Sequence, residues 1–274
     1  MFSIYRTETG YTIEKDSSCV LAQDFCLDTL FTSEDPLKYT EFQFESGQSC
    51  DLPSGALLAP VGSQEVWAAG VTYYRSRDAR MEESESSGGD RFYDMVYEAE
   101  RPELFFKATA DRSRGHLDKV CIRSDSSWDV PEPELTLAIN SSGKVFGYTV
   151  GNDMSSRSIE GENPLYLPQA KVYRGSCALG PCLVVGSGPG KEALISVKIT
   201  RAGEVVFAGN TEVSQIKRSF DELAEFLFRD NEFPNGALLM TGTGVVPDSD
   251  FTLNSGDLIS ISIDGIGTLE NEVE

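Results

Sequence analysis

Apolar positions in this chain fall into short runs rich in Val, Ile, Phe and Tyr, broken by Gly, Pro, Asn and Asp, a pattern that predicts strands joined by turns. Residues 65–73, 145–150, 194–199, 204–207 and 258–263 all read as strands. Helical periodicity is rarer. Residues 27–31 open a short helix. In 219–228, Ser219 stands three residues before Glu222 as a capping box, and Phe220, Leu223, Phe226 and Leu227 form one apolar face. The fold class expected is therefore mainly β with a few helices (α+β). Residues 1–64 are mixed in pattern and are expected to form a small N-terminal subdomain, leaving 65–274 as the catalytic domain.

The stretch around which the chain is organised is Val130-Pro131-Glu132-Pro133-Glu134-Leu135, continuing into the apolar Thr136-Leu137-Ala138-Ile139. As a strand it places Glu132 and Glu134 on one side, with Cα atoms roughly 6.6 Å apart at about 3.3 Å per residue. Two carboxylates held that close on a buried face repel each other and need a cation between them. Pro131 and Pro133 suit the start of a strand or an edge. The strand beginning at Val145 ends in Gly151-Asn152-Asp153, and Lys171 follows in Pro168-Gln169-Ala170-Lys171. Glu132, Glu134 and Asp153 make an all-oxygen set, which suits Mg²⁺ better than Zn²⁺, with Mn²⁺ or Ca²⁺ as alternatives. Arg157 and Glu160 stand four and seven residues after Asp153. If that stretch is helical the three share a face, and Arg157 can grip either a substrate carboxylate or a metal-binding acid.

Acids outnumber bases 44 to 23 in 274 residues, a net charge of −21, so nucleic acid and anionic membranes are poor partners. An anionic substrate then needs a local positive pocket, which a divalent ion, Lys171 and Arg157 supply. The nine Lys against fourteen Arg fit a surface adapted to high salt. No apolar run is long enough to span a membrane, and no signal-peptide pattern opens the chain, so a cytoplasmic location is expected. Six cysteines without zinc-type spacing read as free thiols. The single histidine, His116, lies in a polar, turn-like segment and reads as a surface residue.

As a set, several motifs resemble the fumarylacetoacetate hydrolase family. They are Pro131-Glu132-Pro133-Glu134-Leu135, Gly147-Tyr148-Thr149, Asn152-Asp153-Met154-Ser155-Ser156-Arg157, Ala170-Lys171 and Leu179-Gly180-Pro181. Met240-Thr241-Gly242-Thr243-Gly244-Val245, Ser255-Gly256-Asp257 and Gly265-Ile266-Gly267-Thr268-Leu269-Glu270-Asn271 continue the series, which spans roughly residues 66–274. The resemblance implies a mixed β-sandwich roll, a divalent metal on the two Glu and the Asp, a 2-oxo acid substrate, and a homodimer or higher homo-oligomer. It implies that the turn around Thr243 binds the substrate carboxylate, that Tyr73 ends a strand at the site, and that Lys107 closes a site-proximal run. It also implies a lid after Tyr73, containing Ser76.

Hydrolytic members carry a His in that lid to activate water with a Glu. Tyr73-Tyr74-Arg75-Ser76-Arg77 has none. Residues 161–169 read as a loop that delivers Lys171, and their wording resembles the branch that dehydrates 2-keto-3-deoxy pentonates (arabinonate and xylonate). The expected function is therefore Mg²⁺-dependent dehydration of a 2-keto-3-deoxy sugar acid to 2,5-dioxopentanoate through a metal-stabilised enolate. Lys171 moves the C3 proton and Ser76 helps the leaving hydroxide. An acylpyruvate hydrolase, or a 2-oxo-diacid decarboxylase or isomerase, is the alternative on the same site. A non-catalytic binding protein is the reading from another class.

Overall fold

The computed structural model describes residues 1–73 and 95–274. The expected strands are present and assemble into two layers. An eleven-stranded mixed sheet runs in the order Gln48–Ser49, Ser18–Ala22, Gly10–Lys15, Phe2–Thr7, Cys177–Val185, Val145–Asp153, Pro133–Ile139, Ala237–Met240, Glu65–Gly70 and Glu103–Ala108. Ser113–Arg114 joins alongside Cys177–Val185. A five-stranded sheet is ordered Glu204–Glu212, Leu194–Arg201, Leu258–Ile263, Gly267–Val273, Lys119–Val120. A two-stranded ribbon pairs Ser155–Ser156 with Asp129–Val130.

Pro133–Ile139 lies mid-sheet with every residue buried, which is why its sequence is a continuous apolar run rather than an alternating one. On one face Leu135, Val150, Ala178 and Val184 pack against Ile195, Val197, Ile259 and Leu269 of the smaller sheet. On the other, Ala138, Leu179 and Leu238 pack with Leu27, Leu30 and Phe31. Helix Phe220–Phe228 covers Leu137, Ile139 and Leu239 with Leu223 and Leu227, and Ser219 caps it by accepting the Glu222 N–H at 3.2 Å. A sandwich of this kind brings strand ends together at its rim, where a site can be built on rigid elements.

The N-terminal strands extend the large sheet through the pairing of Phe2–Thr7 with Cys177–Val185. The short helix Leu27–Thr32 is present as expected. Helix Pro36–Ser46 is not legible in the apolar pattern. Its N-terminus is fixed by Asp35, which accepts the Lys38 N–H at 3.0 Å, and by Pro36 at the first helical position. No described helix is long and apolar enough to cross a membrane, and all six cysteines are free thiols.

Three local expectations change. Residues 164–166 form a 3₁₀ turn and Leu167–Lys171 a short helix, so Lys171 ends a helix rather than a loop. Helix Arg157–Glu162 begins after Asp153, which belongs to the preceding strand, so only Arg157 and Glu160 share a helical face. His116, read as a surface residue, is half-buried. Its Nδ1 accepts the Glu270 N–H at 3.1 Å. Ser76 and the charged stretch expected as a lid lie outside the described residues.

Candidate active site

The three candidate ligands meet because of strand pairing. Glu134 lies in Pro133–Ile139 opposite Gly151, and Glu132, two residues earlier, points to the same side. Glu132 and Asp153 exchange backbone hydrogen bonds (3.2 and 3.0 Å), so they sit directly opposite each other across the ladder. An i, i+2 pair on one strand and the residue facing i on the next therefore converge. One carboxylate oxygen from each of Glu132, Glu134 and Asp153 lies within 4.8 Å of the others, and all three residues are buried. Gly151 leaves the position opposite Glu134 without a side chain.

Three buried cations enclose this acid cluster. Lys171 Nζ donates to Glu132 Oε2 (2.8 Å), Asp153 Oδ2 (3.0 Å) and Ser155 Oγ (2.6 Å). Arg157 Nη2 donates to Glu132 Oε1 at 2.7 Å, the ion-pair role weighed from sequence. Lys107 is fully buried, not snorkelling. It pairs with Asp153 Oδ1 and donates to the Met154 carbonyl at 3.0 Å. Glu134 is served differently, by the Gly242 N–H at 2.6 Å. Gly242 has φ of +91°, and a Cβ there would collide with Thr72 Oγ1, so the turn needs glycine.

A narrow cleft lies above the cluster, lined by Glu132, Asp153, Lys171, Glu160, Thr243 and, from the outer strand, Glu103 and Phe105. Of the sequence candidates, Glu160 and Thr243 thus reach the cleft. The Thr243 hydroxyl is engaged with Val245, donating to its carbonyl at 3.1 Å and accepting its N–H at 3.2 Å. Tyr73 is buried beside Gly244. Burial, then the nearby Glu134 carboxylate, push its phenol above the usual range. Glu103 and Ser155 are the site residues that sequence reasoning missed. Glu103 stands at the start of a strand whose partner is remote in sequence, and Ser155 follows Asp153 in a motif already assigned to the metal. Cys177, close to Lys107 and Asp153, is no nucleophile, because burial pushes its thiol up to about 12.

The cations are shared unevenly: Lys171 and Arg157 pair with Glu132, and Lys171 and Lys107 with Asp153, while Glu134 accepts a backbone N–H. Glu134 bears the consequence. Burial first, then Asp153 and Glu132, push its carboxyl well above the usual range. A divalent cation among the Glu132, Glu134 and Asp153 oxygens would offset this repulsion. The hard, all-oxygen donors are those Mg²⁺ prefers, so the residues present fit that ion.

Comparison with known proteins gives the same direction. The chain is 51% identical over 216 residues (78% of this chain, 73% of the other) to the "Probable 2-keto-3-deoxyxylonate dehydratase" of Haloferax volcanii. It is 43% identical over 222 residues (80% and 74%) to the 2-dehydro-3-deoxy-D-arabinonate dehydratase of Saccharolobus solfataricus. Among solved structures, 2-keto-3-deoxy-D-arabinonate dehydratase complexed with magnesium and 2,5-dioxopentanoate superposes with a TM-score of 0.84 at 33% identity, covering 100% of this chain and 98% of that one. The family model for the fumarylacetoacetate (FAA) hydrolase C-terminal domain matches residues 78–274, and the chain belongs to that family.

Proposed function

We propose that the protein is a Mg²⁺-dependent dehydratase, a carbon–oxygen lyase, acting on a 2-keto-3-deoxy pentonate and yielding 2,5-dioxopentanoate. The observation that carries this reading is the Lys171 ammonium held by Glu132, Asp153 and Ser155 inside the carboxylate cluster, with no imidazole beside it. The single histidine of the chain is engaged with Glu270, so the His–Glu water activation of a hydrolase has no base here. The two similar dehydratases and the product-bound structure support the choice of substrate.

Bound on Glu132, Glu134 and Asp153, Mg²⁺ supplies Lewis-acid polarisation of the substrate's 2-oxo group. The remaining work falls to side chains. Once it has released a proton, Lys171 as the neutral amine accepts the proton from C3 at Nζ, and its hold on Ser155 keeps the amine aimed into the cleft. Glu103, on the opposite wall, delivers a proton to the departing C4 hydroxyl, a role shared with Ser76 if that residue reaches the cleft. Loss of the C3 proton and the C4 hydroxyl removes one water, and the unsaturated hydroxy acid tautomerises to the dioxo acid. Thr243 and its turn take the substrate carboxylate, Tyr73 closes the wall beside Glu134, and Glu160 accepts from a substrate hydroxyl. Arg157 and Lys107 hold Glu132 and Asp153 in place.

The same proposal takes residues 1–64 as a buttressing subdomain and 65–274 as the catalytic domain, in a cytoplasmic homo-oligomer of two or more chains. Light scattering on the purified protein checks the oligomer. For the reaction, the protein is incubated with Mg²⁺ and 2-keto-3-deoxyarabinonate or xylonate, alongside an acylpyruvate, and products are weighed. Loss of one water's mass from the sugar acid, abolished by EDTA, is the expected result. Cleavage of the acylpyruvate instead would overturn the dehydratase assignment in favour of hydrolysis.

A further inference from the structure

Two stretches of chain form the outer wall of the cleft. One runs from Glu65–Gly70 to Tyr73. The other resumes at Met95, passes a single helical turn at 95–98, and becomes the strand Glu103–Ala108 that carries Glu103, Phe105 and Lys107. Both are held by residues 216–218. Tyr73 bridges to Ile216, and the Lys217 N–H donates to the Thr72 carbonyl at 3.0 Å. Thr72 in turn donates its hydroxyl to the Thr241 carbonyl at 2.6 Å, next to the Gly242 N–H that serves Glu134.

The second stretch is gripped by side chains. Arg218 is nine-tenths buried, and its guanidinium donates to the carbonyls of Ala99 (2.7 Å), Glu100 (3.0 Å) and Val96 (3.4 Å). The Val96 carbonyl also accepts the Ala99 N–H at 3.3 Å, while the Ala99 and Glu100 carbonyls lie just past the turn, so a planar cation there acts as a cap. Glu222 Oε1 holds the same guanidinium at 2.6 Å and anchors it to the first turn of helix Phe220–Phe228. Lys217 adds a bond to the Tyr97 carbonyl (2.5 Å) and lies over the Tyr97 ring at 4.0 Å.

We propose that Arg218 is a positioning residue: by tying residues 96–100 to the capped end of helix Phe220–Phe228, it sets where Glu103 and Phe105 stand against the cleft, while Lys107, farther along that strand, is held by Asp153 and the Met154 carbonyl. The metal ligands lie on strands that Arg218 does not touch, so its influence falls on substrate placement and not on the ion. A fork donating to three carbonyls and a carboxylate is not reproduced by an ammonium, so lysine restores the charge but only part of the geometry.

The inference rests on the dehydratase reading for its kinetic arm alone. The test compares R218A and R218K with the wild type in hydrogen exchange, in Mg²⁺ calorimetry, and in kcat and KM on 2-keto-3-deoxyarabinonate. For R218A, exchange rises in peptides covering 96–108 while the Pro133–Ile139 strand stays protected. KM rises on the order of ten- to a hundredfold, more than kcat falls, and Mg²⁺ affinity is unchanged. R218K falls between the two. Unchanged exchange at 96–108, or unchanged KM in a folded R218A, overturns the proposal, as does protection lost uniformly along the chain. Should R218A not fold, R218K and Lys217→Met carry the same readouts. If the wild type does not turn over the sugar acid, the functional reading fails, while the exchange arm still decides whether Arg218 holds the wall.

Discussion

Among the described residues, two ionic centres differ in character. In the smaller sheet Asp257, fully buried, receives Arg201 Nε and Nη2 at 2.7 Å each and the Asn254 N–H at 2.9 Å. One acid meets one base in a bidentate fork, and the arrangement is complete. At the rim of the large sheet, Lys107, Lys171 and Arg157 pair with Glu132 and Asp153, while Glu134 is driven up in pKa by burial and by those two acids. A closed pair fastens loop 252–257 to strand Leu194–Arg201 and has nothing left to bind. A crowded acid cluster is held together by its surroundings and offers its oxygens to a ligand. Both motifs, Ser255-Gly256-Asp257 and Glu132-Pro133-Glu134, read alike in sequence as family signatures, yet the second is the candidate site.

The widest separation between the two centres is expected from removing a ligand. Glu134→Gln should abolish Mg²⁺ binding in calorimetry and lower kcat/KM by about 10³-fold or more. Because this substitution relieves repulsion in a crowded acid cluster, the metal-free protein should unfold at the same temperature or higher. Retained turnover without metal binding would remove the triad from the mechanism. Asp153→Asn should lose metal as well, but it strands the buried Lys107 and Lys171 and is expected to destabilise.

Lys171→Met comes next. Removing the general base should lower kcat by about 10²- to 10⁴-fold. Mg²⁺ should bind at least as tightly, since a positive charge has left the ligand sphere. Initial rates and calorimetry on one preparation separate the two effects. A fully active variant would eliminate Lys171 as the proton carrier.

Asp257→Asn should show the reverse pattern. Breaking a fully buried pair typically costs about 3–5 kcal/mol, but Arg201 is 35% exposed, and screening brings the expected loss to about 2 kcal/mol. Denaturant unfolding measures it, with kcat/KM and Mg²⁺ affinity unaffected. Loss of activity at full stability would contradict the division drawn between the centres.

Much of the site was legible because strand periodicity is short-range. Glu132 and Glu134 share a side by the two-residue repeat alone, and Asp153 was found because a strand visibly ended there. What stayed hidden depends on partners far along the chain. Glu103 reaches the cleft only because Glu103–Ala108 lies beside Glu65–Gly70, and Arg218 meets residues 96–100 across more than a hundred positions. The helix at Lys171 was missed because Pro164 and Pro168 read as breakers, although proline is compatible with a first helical turn. Helix Pro36–Ser46 escaped because it buries Pro36, Thr40 and Gln43 rather than an apolar stripe.

His116 offers the smallest effect and the sharpest control, since it lies apart from both centres and the sequence placed it on the surface. It is half-buried and accepts the Glu270 N–H on Nδ1, an arrangement open only to the neutral ring. Burial lowers its pKa below the ordinary value near 6.5, with the Glu270 carboxylate opposing in part. The unfolded chain therefore takes up the proton first as pH falls. The His116 contribution to stability is complete above about pH 6.5 and is lost progressively as pH falls through the lower folded value. His116→Asn, which can keep an acceptor but cannot titrate, should flatten this part of the profile when melting temperatures are compared between about pH 8 and 5.5. Identical slopes in the two proteins would mean that His116 takes up its proton equally in the folded and unfolded chain, and the hydrogen bond to Glu270 would have to be reassigned.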